Sequence, residues 1–448
     1  MNNQNIFKSY DVRGIFPKEL DKKTAFLIGQ AFVRQTGAKK IALARDSRIS
    51  GKELLGAISD GIVQSGSNVY DIGQVPTECL YFAIGAGEDI DAGIMITASH
   101  NPKEYNGFKM IKKTGNSIEI IRGKDLLSTA EAIEKEGKQL KTKKGQIFQK
   151  NILPDFISHI SVFAEAGVKP FSIVVDASNG VAGEVVSKIG DHLPAKVFLL
   201  NHKPDGNFPN HSPNPLEEGS TNQIKEEINN QKADFGFIFD GDADRIFLID
   251  EKGEMVRADV VLLMLAQYFL KKYPKSAIAY NAICSKAVPE FVEKWQGMPI
   301  KTAVGFVNVR EGLLKNNGSM GGEMSGHYCF KDNFYMDSGM IAFLVLLQVI
   351  SESNKKVSDI ATELSPYAKA VETNFKIENK DAVLGKIKEK YSDGKQDYLD
   401  GVTVEYPDWW FNVRASNTEP LLRLTIEAES PVLLDVKKKE LSDFIMSK

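Results

Sequence analysis

Cysteine is scarce in this chain. Its three cysteines among 448 residues, Cys79, Cys284 and Cys329, lie far apart and offer neither a disulfide framework nor the spacing of a zinc knuckle. They read as buried thiols in a reducing compartment. A charge excess of one sign is missing too. Fifty-six Lys and Arg against 59 Asp and Glu leave a formal charge of −3, which offers nucleic acid or an anionic membrane no basic surface. No apolar run reaches the length of a membrane span: the best, Met340 to Ile350, is about half that length and carries Gln348. The N-terminus lacks the apolar core of a secretory signal, and no segment is of low complexity. These absences predict a cytoplasmic protein with neither nucleic-acid nor membrane partners, and its length suggests about three or four domains.

What is present is most concentrated at Phe235 to Arg245, F-G-F-I-F-D-G-D-A-D-R, where an apolar strand runs into three carboxylates spaced two apart. Asp240, Asp242 and Asp244 would repel one another across a tight turn unless a hard divalent cation, Mg²⁺ or Ca²⁺, neutralised them. An EF-hand has acids at the same intervals but needs Gly where Arg245 stands, and helices where the flanks Phe235 to Phe239 and Ile246 to Ile249 read as strands. A haloacid-dehalogenase-type phosphatase also ends a buried strand in D-x-D, with Thr or Val in place of Asp244.

A second stretch echoes the first. Asp91 to Ser99 reads D-A-G-I-M-I-T-A-S and Asp234 to Asp242 reads D-F-G-F-I-F-D-G-D, which sets Ser99 in the place of Asp242. Upstream, Ile41 to Asp46 echoes Ile173 to Ser178. Two echoes in the same order point to a duplicated α/β unit.

Apolar periodicity predicts helices over Asp21 to Thr36 and Glu53 to Gln64, with strands Ile41 to Ala44, Asn68 to Ile72 and Ile94 to Ile96. The Lys- and Glu-rich segment Glu119 to Gln149 reads as helices leading out of the first unit. Further elements are the helix Asp259 to Leu270, the strand Ala277 to Tyr280, the turn Gly321 to His327 and the helix Leu433 to Met446. The loop Pro204 to Pro215 reads as a long ordered turn. The expected class is α/β, with domains over 1–150, 151–250, 251–366 and 367–448, the last a smaller α+β module.

Ser99 lies in T-A-S-H-N-P between a strand and an Asn-Pro turn, so its hydroxyl is expected to be exposed on a loop. A free serine needs an activating partner, and no G-x-S-x-G elbow exists in the chain. A phosphorylated Ser99 facing the three aspartates would instead share one Mg²⁺ with them, and the metal would polarise the phosphoryl group for transfer.

The chain resembles the α-D-phosphohexomutases, the family that includes phosphomannomutase and phosphoglucomutase. The likeness spans nearly the whole length through K-S-Y-D-V-R-G at Lys8 to Gly14, T-A-S-H-N-P at Thr97 to Pro102, D-G-D-A-D-R at Asp240 to Arg245, G-E-M-S-G-H at Gly322 to His327 and R-A-S-N-T-E-P at Arg414 to Pro420. The resemblance implies a heart-shaped arrangement of three related mixed-sheet α/β domains and a smaller C-terminal lid. It implies an isomerase of carbohydrate metabolism that moves phosphate reversibly between O1 and O6 of mannose or glucose phosphates. The route would be a phosphoserine at Ser99 and a hexose 1,6-bisphosphate, which also serves as activator. Mg²⁺ would be held by Asp240, Asp242, Asp244 and the phosphoserine.

The same resemblance sets Arg245 beside the phosphoryl group and Arg13, His100 and Lys109 around the reacting oxygen, with Lys109 as proton carrier. Lys286 matches a third-domain lysine. Glu323, Ser325 and His327 place donor and acceptor groups two residues apart, suited to sugar hydroxyls on one side of a strand. Arg414 with Ser416, Asn417 and Thr418 supplies a charged fork and short donors for a phosphate dianion, with Arg423 as a further candidate. Met324 is similar to enzymes taking glucose or mannose phosphates, whereas glucosamine-type mutases have Gln there. Phe306 departs from relatives that carry His in a third-domain turn, which bears on the choice of sugar. A phosphoglucosamine mutase, a metal-dependent phosphatase using Asp240 and a silent sugar-phosphate sensor are the competing expectations. Hexose phosphates are the expected partners, and a monomer or homodimer the expected state.

Overall fold

A computed structural model describes residues 4–87, 89–115, 117–137, 143–164, 167–416 and 421–447. Two compact units emerge, Met1–Val256 with Gly326–Ser358, and Arg257–Ser325 with Asp359–Lys448.

In the first unit, Asp21 caps the helix Lys22–Thr36 by accepting a hydrogen bond from the Thr24 amide, and Gly37 ends it at a positive φ of 67°. This helix and Gly51–Gln64 bury their apolar faces over Ile41, Leu43, Ile94 and Ile96. The sheet beneath runs Val12–Ile15, Tyr105–Thr114, Ala92–Ile96, Lys40–Arg45, Asn68–Gln74 and Ile147–Gln149, with Ser117–Ile121 paired to Tyr105–Thr114. The charged segment after Glu119 departs from expectation. It opens as the end of the strand Ser117–Ile121, holds one helix among its described residues, Gly123–Glu136, and returns as Ile147–Gln149 along the edge of the same sheet. Its many Lys and Glu residues occupy a solvated face, which hides the short strands from a reading by composition.

The second sheet of this unit runs Ile246–Ile249, Phe235–Phe239, Ser172–Asp176 and Lys196–Leu200. It repeats the four inner strands of the first sheet in order and direction: an antiparallel pair, then two parallel neighbours. The register repeats as well. Ile41 lies opposite Ala92, and Ile173 lies opposite Phe235, so both sequence echoes align in one frame. The unit closes on the hairpin of Tyr328–Phe330 with Met336–Asp337 and on the helix Gly339–Ser353, buried from Gly339 through Ser351. That apolar helix is core, and among the described residues no helix is long and apolar enough to cross a membrane. All three cysteines are buried and none forms a disulfide.

In the second unit, parallel strands Met298–Thr302, Ala277–Asn281 and Met320–Gly322 lie side by side. A separate C-terminal sheet orders Ala368–Lys369, Leu421–Ala428, Trp409–Ala415, Val402–Glu405 and Lys395–Asp397, with Thr373–Lys376 also on Leu421–Ala428. The helix Pro431–Met446 packs on this sheet through Leu434, Leu441 and Ile445.

Candidate active site

The repeat brings its two chemical loops together. Ala92–Ile96 and Phe235–Phe239 each end in a turn, and the first unit sets the turns face to face. Ser99 Oγ donates to Asp240 Oδ2 at 2.9 Å, and Arg245 Nη2 donates to Ser99 Oγ at 2.9 Å. Close backbone approach makes this possible. A Cβ on Gly241 would stand 2.9 Å from the Ser99 carbonyl oxygen, so the residue between the first two aspartates must be glycine. Ser99 itself takes a left-handed backbone, φ 49°, unusual for a side-chain-bearing residue. Contrary to the expected exposed hydroxyl, Ser99 is only 2% exposed, because the aspartate turn and Arg245 cover it.

His100, adjacent in sequence, also converges on the hydroxyl. Its Nδ1 lies 3.3 Å from Ser99 Oγ and contacts Arg245 Nη2. Arg245 Nε donates to Asp240 Oδ2 at 3.0 Å. Lys109, on the strand Tyr105–Thr114, donates to Asp242 Oδ2 at 2.7 Å and to Asp244 Oδ2. His327 Nε2 lies 3.4 Å from Asp244 Oδ1. Arg13 reaches Asn101 Oδ1 at 2.7 Å and Asp11 Oδ2 at 2.6 Å. It therefore braces the serine loop rather than touching the hydroxyl.

The electrostatics are those of a crowded acidic pocket. Burial and repulsion from Asp244 and Asp242 push the Asp240 carboxyl well above its usual range. Burial would also raise Asp244, but Lys109 and His327 outweigh it and hold that carboxyl low. Burial works against the Lys109 ammonium, yet Asp242, Asp244 and Asp337 overcome it and keep the group protonated far above the ordinary lysine value.

The three aspartates suit a hard divalent cation. Ligand oxygens of Asp240, Asp242 and Asp244 lie within 4.8 Å of one another, and Asp242 Oδ1 is buried without a hydrogen-bond partner. An all-oxygen donor set fits Mg²⁺. Asp244, His327 and Asp337 form a second group within the same spacing.

Sequence reasoning gave no role to Thr77, Thr97, Asp46 or Arg48. Thr77, at the start of the helix Thr77–Gly85, donates to Asp242 Oδ2 at 2.7 Å and bonds the Asp242 carbonyl through its amide at 3.0 Å. Thr97 donates to Asp46 Oδ2 at 2.7 Å, and Asp46 pairs with the buried Arg48. Thr97 stood in a motif already noticed, but Thr77 and Arg48 carry no local signal.

The second unit gathers the other predicted residues. Glu323 and Ser325 do not lie along a strand as expected, since the strand Met320–Gly322 ends first and both occupy the following turn. There Ser325 Oγ donates to Glu323 Oε1, and Glu323 Oε2 accepts from the Gly305 amide at 3.1 Å. Phe306 follows Gly305 directly and begins the helix Phe306–Lys315, beside the same carboxylate. Lys286 Nζ stacks over the Tyr367 ring at 4.6 Å and lies 3.4 Å from the Pro407 carbonyl oxygen. Arg414 and Arg423 sit opposite each other on neighbouring strands, and the carboxylate of Glu372 bridges them, at 2.6 Å from Arg414 and 3.4 Å from Arg423. Arg423 Nη2 reaches Ser416 Oγ at 3.5 Å. Two arginines already gripping one carboxylate form an anion-binding fork, and the buried Arg414 Nε has no partner. Asn417 and Thr418 lie outside the described residues.

The chain matches, in order, the four domain models of the phosphoglucomutase/phosphomannomutase group: alpha/beta/alpha domain I over residues 4–136, domain II over 154–253, domain III over 257–367 and the C-terminal domain over 372–442. It is 34% identical to a phosphomannomutase of Methanocaldococcus jannaschii over 98% of this chain and 97% of that protein. It is 33% identical to a phosphomannomutase of Escherichia coli K12, covering 97% of each. A crystal structure of a phosphoglucomutase/phosphomannomutase family protein from Burkholderia thailandensis, 32% identical, superposes with a TM-score of 0.90 over 99% of this chain and 98% of the other.

Proposed function

The chain belongs to the phosphoglucomutase/phosphomannomutase family and is a phosphohexomutase, an isomerase, and we propose that it moves phosphate between O1 and O6 of mannose or glucose phosphates through a phosphoserine at Ser99. The observation that carries this reading is the Ser99 hydroxyl, bonded at once to Asp240 and to the Arg245 guanidinium. Phospho-Ser99 gives its phosphoryl group to the free hydroxyl of a bound hexose monophosphate. The P–O bond to serine breaks as a P–O bond to the sugar forms, and the resulting 1,6-bisphosphate returns its other phosphate to Ser99 after turning end for end.

Both halves depend on in-line placement and charge neutralisation. Arg245 neutralises the phosphoryl oxygens, and His100 contacts the oxygen that departs. The sugar hydroxyl that takes the phosphoryl group gives up a proton as the serine oxygen takes one up, and Lys109, between Asp242 and Asp244, is assigned to carry that proton. Asp240, Asp242 and Asp244, with a phosphoserine oxygen, would hold Mg²⁺, which would supply further neutralisation of the phosphoryl group. Arg414, Arg423 and Ser416 are assigned to the phosphate that is not being transferred, Glu323 and Ser325 to sugar hydroxyls. Asp240 Oδ2 is engaged by both Ser99 and Arg245, which argues against its use as a phosphatase nucleophile. The domain limits 1–150, 151–250, 251–366 and 367–448 are retained in this reading.

Ser99→Ala tests the proposal. Turnover in a coupled assay with Mg²⁺ and a trace of bisphosphate should fall by roughly four orders of magnitude or more, while calorimetric binding of hexose 1-phosphate persists. Full activity in that variant would end the reading.

A further inference from the structure

We propose that Arg48 is a positioning residue for the phosphoryl transfer: without touching a reacting atom, its guanidinium fixes the backbone that aims the Ser99 hydroxyl. The inference rests on reading Ser99 as the group that carries phosphate. Arg48 is only 1% exposed, yet all five of its side-chain N–H donors meet an acceptor. Nε donates to Asp46 Oδ2 at 3.1 Å. Nη1 donates to the carbonyls of Pro102 at 2.6 Å and Tyr105 at 2.9 Å, and Nη2 to those of Ser99 at 2.8 Å and Asn101 at 2.5 Å. Four of the five acceptors are therefore main-chain oxygens of one short loop, and one belongs to Ser99 itself.

The other side of Ser99 is tied to the same pair. Asp46 Oδ1 accepts the Arg48 amide at 2.9 Å, and Asp46 Oδ2 accepts Thr97 Oγ1 at 2.7 Å. Thr97 Oγ1 in turn accepts the Ser99 amide at 2.8 Å. Both peptide groups of a residue at φ 49° are thus pinned by the Asp46–Arg48 pair, directly on the carbonyl side and through Thr97 on the amide side. A left-handed conformation costs a side-chain-bearing residue energy and persists only where its surroundings over-determine it. The loop Pro204 to Pro215 closes over this arrangement, with the Phe208 ring 5.3 Å from the Arg48 guanidinium carbon. Gly206 lies so close that a Cβ there would stand 2.5 Å from the Ile49 amide and the Ser47 carbonyl oxygen.

Lysine cannot replace this fork, because its three donors leave from one atom and cannot reach four carbonyls spread along a loop. The test compares Arg48→Lys and Arg48→Ala with the wild type and with Ser99→Ala. The readouts are kcat, KM for hexose 1-phosphate, Mn²⁺ affinity by electron paramagnetic resonance, thermal unfolding, and activity with added millimolar guanidinium chloride. In Arg48→Ala, kcat should fall about a hundredfold, the scale of a 1 Å misplacement, while KM and Mn²⁺ affinity change little. Guanidinium should restore a substantial part of kcat in Arg48→Ala and none in Arg48→Lys.

Arg48→Lys alone carries the test should the alanine variant fail to fold. A soluble, cooperatively melting Arg48→Lys enzyme with wild-type kcat would overturn the inference, and so would loss of kcat and Mn²⁺ binding together without guanidinium rescue. Full turnover in Ser99→Ala would instead remove the reading beneath it. An inactive Ser99→Ala beside a fully active Arg48→Lys would sink this inference alone.

Discussion

Asp242 owes its position to a hydroxyl 165 residues earlier in the chain. Thr77 Oγ1 bonds Asp242 Oδ2 and leaves Oδ1 open, so the carboxylate is oriented before any cation arrives. Groups that orient a metal ligand typically matter by 10- to 100-fold in affinity. Thr77→Val should therefore weaken Mn²⁺ binding by about that factor with a small loss of stability, as read by titration calorimetry; unchanged affinity would contradict the assignment. Residues of this kind explain what sequence could and could not disclose about the site. Ser99, Arg245 and the three aspartates declare their chemistry in adjacent letters. Thr77, Arg48 and Glu372 are ordinary letters whose partners are supplied only by folding.

At the scale of elements, strands Phe235–Phe239 and Ile246–Ile249 stand where the sequence predicted them. Each is a continuous apolar run broken on one side by the acidic turn, so composition and boundary agree. The helix Lys22–Thr36 was equally legible, because a capping Asp and a terminal Gly bracket its apolar stripe. The helix Gly123–Glu136 lies within the segment read as helical, but the strand Ile147–Gln149 was not legible, since a short edge strand with exposed side chains lacks an apolar pattern. The loop Pro204 to Pro215 could be recognised as ordered but not given a role; its contact with Arg48 supplies one. Gly206→Ala should force the loop away from Ser47 and Ile49, costing about 1–3 kcal/mol in urea unfolding and lowering kcat. A variant with unaltered stability and turnover would show the close approach to be dispensable.

The duplicated frame is the largest feature that sequence disclosed, and it sets the turns after two matching strands face to face, so that Ser99 bonds Asp240 and Thr97 reaches Asp242. A titration of the whole protein should reveal another buried group. Glu78, fully buried, has its carboxyl pushed up to about 8, first by burial, against hydrogen bonds from Ser338 and the Met340 amide that pull it down, and with help from Asp337 and Asp244. Below the ordinary value of 4.5 the folded and unfolded chains both hold this proton. As pH rises toward 8, the unfolded chain loses a proton that the folded one keeps, so the stability contributed at low pH is lost. The melting temperature of the wild type should decline across that window more steeply than that of Glu78→Gln, and parallel profiles would contradict it.

The central claim, that Ser99 carries the phosphate the enzyme moves, is tested most directly by a chase. Enzyme charged with hexose 1,6-bisphosphate labelled in its phosphates should show one labelled phosphate, located on Ser99 by peptide mass spectrometry. Addition of unlabelled hexose 1-phosphate should then transfer that label into bisphosphate as fast as the enzyme turns over. Label absent from Ser99, or fixed there while isomerisation continues, would contradict the account.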